Sequence, residues 1–141
     1  MKLHIWARAV LLACAVVAAG SASAAAVKIG FVTTLTTPAA VIGHDMTRAV
    51  DLAMAHLDGK MAGLAVELIV EDDGFKPDVG KQKTDMLVKR HDVDFVAGYI
   101  WSHVLLASSR SVFKADKFLI SANAGPSRIA GKRCHRNFFS T

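Results

Sequence analysis

Two rhythms of apolar and polar positions alternate along the chain, one suited to strands and one to helices. Residues 27–34 (VKIGFVTT) are rich in β-branched and apolar side chains and read as a strand. Residues 35–43 (LTTPAAVIG) read as a loop holding Pro38 and closing on a glycine. Met46, Ala49, Val50, Ala53, Met54 and Leu57 then recur at i, i+3, i+4, i+7 spacing, and Arg48, Asp51 and Asp58 lie off that stripe. This predicts an amphipathic helix that Gly59 and Gly63 end. Residues 64–72 (LAVELIVED) place Val66, Leu68 and Val70 on one face, as a strand does. Pro77 suits the first turn of a second helix running to about Arg90, with Val79, Lys83, Met86 and Leu87 inward.

Residues 93–98 (VDFVAG) predict a third strand. Ser102 is placed to cap a third helix reaching about Ala115, with Leu105, Leu106, Ser109, Val112 and Phe113 inward. Residues 118–121 predict a fourth strand, residues 123–132 a loop, and residues 137–141 the start of a fifth strand. The order β-α-β-α-β-α-β predicts an α/β fold, a doubly wound parallel sheet with helices on both faces. The expected strand order is 2-1-3-4, which reverses between the first and third strands. A crevice opens at such a reversal, at the carboxyl ends of the strands. Residues 35–43, 99–103 and 121–125 converge there.

The first 24 residues stand apart from this rhythm. Lys2 and Arg8 precede an uncharged apolar run over residues 9–20, and Ser21, Ala22, Ser23 and Ala24 supply the small residues of a cleavage site. The run is shorter than the ~20 apolar residues a membrane span needs. A secretory leader over residues 1–24 is expected, cut after Ala24 or, as the alternative, after Ala26. Leu11-Leu12-Ala13-Cys14 also resembles a lipoprotein box, which leaves a lipidated Cys14 as the competing outcome. The expected location is the periplasm. Loss of the leader removes Lys2 and Arg8 and lowers the net charge from +5 to +3. Arg128, Lys132, Arg133 and Arg136 crowd the C-terminal end and read as a solvated loop. The rest is nearly neutral, so no nucleic-acid face is expected. Cys134 is left without a partner in the mature chain.

The residues exclude several chemistries. The turn after the first strand is neither G-x-G-x-x-G nor a phosphate-binding G-x-x-x-x-G-K-[ST], so no nucleotide cofactor is expected. Asp72-Asp73 reads as a capping acidic turn before it reads as a metal pair. His91, Asp92 and Asp94 fall on the end of the sheet opposite the crevice. His44, His56 and His103 have no ligand spacing with a cysteine. Ser108, Ser109 and Ser111 lack a nucleophile elbow. The chain therefore reads as a binding protein without metal or cofactor, not an enzyme. Ser102 is the residue that stands out. It sits at a predicted helix N-terminus beside the crevice, where unpaired amides and the helix dipole favour an anion. Asn123, Ala124 and Gly125 follow the next strand and can offer donors to the same spot. A carboxylate fits such a nest.

The segments VKIGFVTTLTTPAAVIG, VELIVEDDGFKPDVGKQK, VDFVAGYIWS and FLISANAGPSRIAGKRCHRNFF together resemble the leucine/isoleucine/valine-binding protein family, over residues 27–141. The resemblance implies a two-lobed periplasmic-binding-protein-like I fold that closes on its ligand and delivers it to an ABC permease in the inner membrane. It implies that Ser102 holds the ligand carboxylate and that Asn123 and Gly125 hold its polar head. The family's aromatic before the first-loop glycine falls on Ile42, a departure that counts against a branched-chain amino acid. A disulfide frequent in amino-acid-binding members would link positions Phe75 and Trp101, so an aromatic contact is expected in its place, with Trp101 at the site. The stretches SANAGPS, AGKRC and NFF are closer to members that bind aromatic carboxylates. Family members exceed twice this length, so residues 25–141 are expected to form only part of the first lobe and to bind ligand weakly alone. A sensory domain on the same fold is the alternative reading.

Overall fold

The computed structural model describes residues 25–141; the leader expected over residues 1–24, with Cys14, lies outside them. Strand β1 (Ala26–Thr33) is central, and its last four residues are buried. It is followed by α1 (Ala40–His56), β2 (Lys60–Met61), β3 (Leu64–Asp72), α2 (Pro77–Met86), β4 (Phe95–Gly98), α3 (Ser102–Lys114), β5 (Phe118–Ser121), α4 (Ser127–Ala130) and β6 (Phe138–Ser140). The sheet order is β2-β3-β1-β4-β5-β6. All pairs are parallel except β2 with β3. The expected 2-1-3-4 order is therefore present as β3-β1-β4-β5, and its reversal lies between β1 and β4.

Right-handed crossovers divide the helices between the faces. The step from β1 to β3 runs one way across the sheet and carries α1. The steps to β4 and β5 run the other way and carry α2 and α3. Leu87, Val88, Val96, Val104, Leu105, Val112 and Leu119 are buried in the core between these helices and the sheet. The inward residues of α2 differ from the apolar stripe. Gly80 and Thr84 are buried, as are Leu87 and Val88 in the wider turn Leu87–His91 that continues the helix, whereas Val79, Lys83 and Met86 are half-buried. The cause is a close helix–helix approach. A Cβ at Gly80 would stand 2.3 Å from Val104 Cγ1. On α3, Val104 and Ser108 join Leu105, Ser109 and Val112 in the buried set, while Leu106 and Phe113 are half-buried.

The other face is only partly covered. Strand register sets Leu68, Ile29, Phe95 and Phe118 in one row and Val70, Phe31, Ala97, Ile120 and Phe139 in the next. Met46, Ala49, Val50 and Ala53 of helix α1 border a groove with Phe31 of β1 and with Ala122, just after β5. Among the residues of α1 only Gly43 is buried. Over β4 to β6, Phe118 and Phe139 remain 41% and 52% exposed, against the expectation of two covered faces. Phe95 stacks on Phe118 at 5.7 Å, and Phe118 meets Phe139 at 6.1 Å.

Local departures from the pattern have local causes. Gly43 does not close a loop; α1 starts three residues earlier and carries Gly43 inside its first turn. A Cβ there would stand 1.9 Å from the Thr34 carbonyl oxygen, so glycine is what lets the helix rest on the end of β1. Between Gly59 and Gly63, both at positive φ, the chain makes the short strand β2 that pairs with the start of β3. The segment read as a C-terminal loop contains the single turn α4.

Candidate functional site

The crevice at the β1/β4 reversal is built by three turns held together by hydrogen bonds. Gly98 has φ +105, and Tyr99 has φ 63. These left-handed residues turn the chain sharply at the end of β4. Tyr99 N then donates to Val32 O at 2.7 Å, and the phenol is fully buried with its oxygen 2.7 Å from Thr84 Oγ1. Burial pushes the Tyr99 hydroxyl pKa up, beyond its ordinary range. From this fixed turn Trp101 leads into α3.

Ser102 is the first helical residue, not the cap; the cap position is Trp101, in extended conformation, and no side chain caps the helix. Ser102 is exposed. The first amide of the helix bonded back along the chain is that of Leu105, to Trp101 O at 3.0 Å. The preceding amides of the first turn are the ones a bound anion uses at a helix start. The turn after β5 comes to the same place. Ala124 N donates to Tyr99 O at 3.1 Å, and Asn123 Nδ2 donates to Ile100 O at 3.4 Å. Asn123 and Gly125 are exposed, and Gly125 lies beside Ser140 at the end of β6. Ile42 is on the first turn of α1 and 39% exposed.

Trp101 turns away from solvent into a network that periodicity does not reveal. Its indole N–H donates to Thr34 Oγ1 at 3.0 Å, and Thr34 Oγ1–H donates to Asp73 Oδ1 at 2.5 Å. The same Asp73 oxygen accepts the Phe75 amide at 2.9 Å. The Phe75 ring meets Trp101 edge-to-face at 4.7 Å and His103 at 5.1 Å. The expected aromatic contact between positions 75 and 101 is present, and a hydrogen-bond chain runs beside it. Such a ring pair contributes about 0.5–1.5 kcal/mol beyond area burial.

The neighbouring Asp72 braces the first loop. Its Oδ1 accepts the amides of Leu35 at 2.8 Å and Gly74 at 2.9 Å, and its Oδ2 accepts Thr36 Oγ1–H at 2.7 Å. Both carboxylates of the acidic turn thus serve the loops. No cluster of three or more metal-ligating residues occurs among the described residues. Burial pushes the Asp72 carboxyl up, but the bonds from Leu35, Thr36 and Gly74 outweigh it and hold the pKa below the ordinary value. A depressed carboxylate contributes stability that is complete above its unfolded pKa, about 3.9. That contribution is lost as pH falls through the folded pKa. The melting temperature is therefore expected to drop below about pH 4. Asp85, Asp92 and Asp116, lowered by hydrogen bonds from Lys81, Lys117 and Arg136, add to this acid limb. Asp72→Asn should make the drop shallower by calorimetry; an unchanged acid limb would remove Asp72 from it.

A family model described as "Periplasmic binding protein" matches residues 26–141. No curated protein matches the chain by sequence. Among solved structures, an ABC transporter substrate-binding protein from Sphaerobacter thermophilus is similar at 28% identity and TM-score 0.77. A solute-binding protein of an ABC transporter from R. palustris, solved with benzoate, is similar at 25% identity and TM-score 0.78. Each likeness covers 82% of this chain and 32% of the other. LivJ of Streptococcus pneumoniae, a branched-chain amino acid transporter substrate-binding protein solved with isoleucine, shares the fold at 23% identity and TM-score 0.75. It is covered over 33% of its length, against 82% of this chain. The chain thus spans about a third of the length of these solved structures.

Proposed function

Because the chain belongs to the periplasmic binding protein family, we propose that it forms one wall of a crevice that captures a small carboxylate outside the cytoplasm for an ABC importer. One observation carries this reading. The uncapped start of α3 and the turn after β5 are tied together through Tyr99 and Ile100, which gathers amides, the Ser102 hydroxyl and the Asn123 amide at one rim. Every group in this set can donate a hydrogen bond. A carboxylate is acceptor-only when ionised and takes several such donors at once.

The relatives solved with benzoate and with isoleucine share a carboxylate and differ in the body attached to it. Ile42, where the leucine/isoleucine/valine-binding family has an aromatic residue, counts against a branched-chain amino acid, and the resemblance of SANAGPS, AGKRC and NFF to aromatic-carboxylate binders favours the aromatic acid as this chain's ligand. The permease of the importer is the partner this reading implies. The described residues offer one wall, whereas ligand pockets commonly bury most of their ligand's surface. Binding by this chain alone is therefore expected to be millimolar, near −4 kcal/mol. Titration with benzoate and with isoleucine, followed by amide NMR, should shift residues 102–104 and 123–125. Ser102→Ala should weaken benzoate several-fold. Shifts confined to other residues, or a micromolar Kd for the chain by itself, would overturn this reading.

A further inference from the structure

A second groove lies away from the crevice, on the flank of α3. Its volume is about 610 Å³, within the range of small-molecule sites. One wall is α3, with Leu106, Arg110, Phe113 and Lys114, and the other is the segment that carries Ile129, Arg133 and His135. Arg110 and Lys114 are four residues apart on the helix and so share a face. No carboxylate lines the groove. Among the described residues, Arg110, Lys114 and Arg133 have no ion-pair partner. The acids of this region are already engaged. Asp85, in the adjoining groove that Arg110 and Lys114 also border, pairs with Lys81 and Lys89. Asp116 takes Arg136 and Asn137.

The groove also has an apolar side. Ile129 is 2% exposed, and His135 stacks on Phe113 with ring centroids 4.0 Å apart and planes at 12°. Asn137 N donates to His135 Nδ1 at 3.2 Å, so Nε2 carries the hydrogen when the ring is neutral and adds a donor. Cations gathered without counter-charge beside low-dielectric walls focus a positive potential. We propose that this groove binds an amphipathic organic anion, a phosphate or carboxylate on a flat apolar body. Arg110, Lys114 and Arg133 take the anionic head, and Leu106, Ile129 and the Phe113–His135 stack take the body. The C-terminal basic residues thus divide between two settings. Arg136 is spent on Asp116, and Arg133 faces the groove.

The test uses 1-naphthyl phosphate as the probe and inorganic phosphate as the head alone, with the full chain in amide NMR and calorimetry. Submillimolar binding of 1-naphthyl phosphate is expected, with shifts over residues 106–114 and 129–135. Inorganic phosphate should bind at least tenfold more weakly. The double variant Lys114→Gln, Arg133→Gln should lose tenfold or more for the probe while keeping the benzoate shifts at residues 102–104. Both side chains are exposed or at the groove rim, and circular dichroism checks that the fold is kept. Three results would each overturn the proposal: shifts at residues 102–104 and 123–125 only, equal affinity for inorganic phosphate, or full affinity in the double variant.

Discussion

Replacing Gly98 by alanine is expected to cost the fold about 3 kcal/mol or more, a large share of the 5–15 kcal/mol that holds a typical domain together. Two penalties act at one atom. The residue sits at φ +105, which L side chains rarely adopt. The added Cβ would also stand 2.3 Å from Val32 O and 3.1 Å from Val32 C. Those atoms belong to the central strand, in register with Gly98. Neither backbone can yield without breaking the Tyr99 N to Val32 O bond. Urea unfolding followed by circular dichroism should show the midpoint fall sharply, and the fully buried Tyr99 ring should lose its fixed environment. A midpoint equal to the parent's would show that the turn after β4 is not constrained in this way.

Asp73→Ala is expected to destabilise by about 2–5 kcal/mol and to release Trp101. The carboxylate is fully buried and accepts from both Thr34 and Phe75. Its removal strands two donors and leaves the Thr34 hydroxyl free to turn from the indole. Asp73→Asn retains one acceptor oxygen and should lose less. Trp101 is the only tryptophan among the described residues, since the other is Trp6. Its fluorescence therefore reports on this network without labelling, and a red shift is expected in the alanine variant at temperatures where the fold persists. Unchanged emission together with an unchanged melting temperature would sink the network as a support of the site. The Asp73 Oδ2 and Ser108 Oγ atoms lack protein partners. Buried polar atoms of this kind are commonly met by an internal water.

Period and punctuation made much of the fold legible. The run of residues 64–72 coincides with β3, residues 118–121 with β5, and Pro77 opens α2. The strand order follows from alternation, crossover handedness and the order common to doubly wound sheets. What the pattern could not show were distances between segments far apart in sequence. Gly43 looked like the end of a loop because a glycine in a helix is costly in isolation. It is tolerated because the backbone of Thr34 occupies the space a side chain would need. Gly80 and Thr84 carry no apolar signal, yet they make the face by which α2 meets α3. Ser102 was placed on the right turn but given a capping role that extended Trp101 holds in position only. The sequence reads Asp73 only as part of a capping acidic turn and His103 only as a rejected metal ligand; that they meet near Thr34 is hidden because the three residues lie on separate segments and share no spacing. The family resemblance supplies the contact between positions 75 and 101, and the acidic turn supplies Asp73, but not their union in one network.

The aromatic patch of Phe95, Phe118 and Phe139, spread over two neighbouring rows, bears on how firmly the two sides of the crevice are held. Strands β5 and β6 are supported from a single side, and regions with few apolar contacts open at lower free energy. The turn carrying Asn123 and Gly125 grows from those strands. The turn carrying Trp101 is instead clamped by Val32, Thr34 and Phe75. On the proposed rim the side presenting the helix start is therefore expected to be stiff, and the side growing from β5 to be the more compliant of the two.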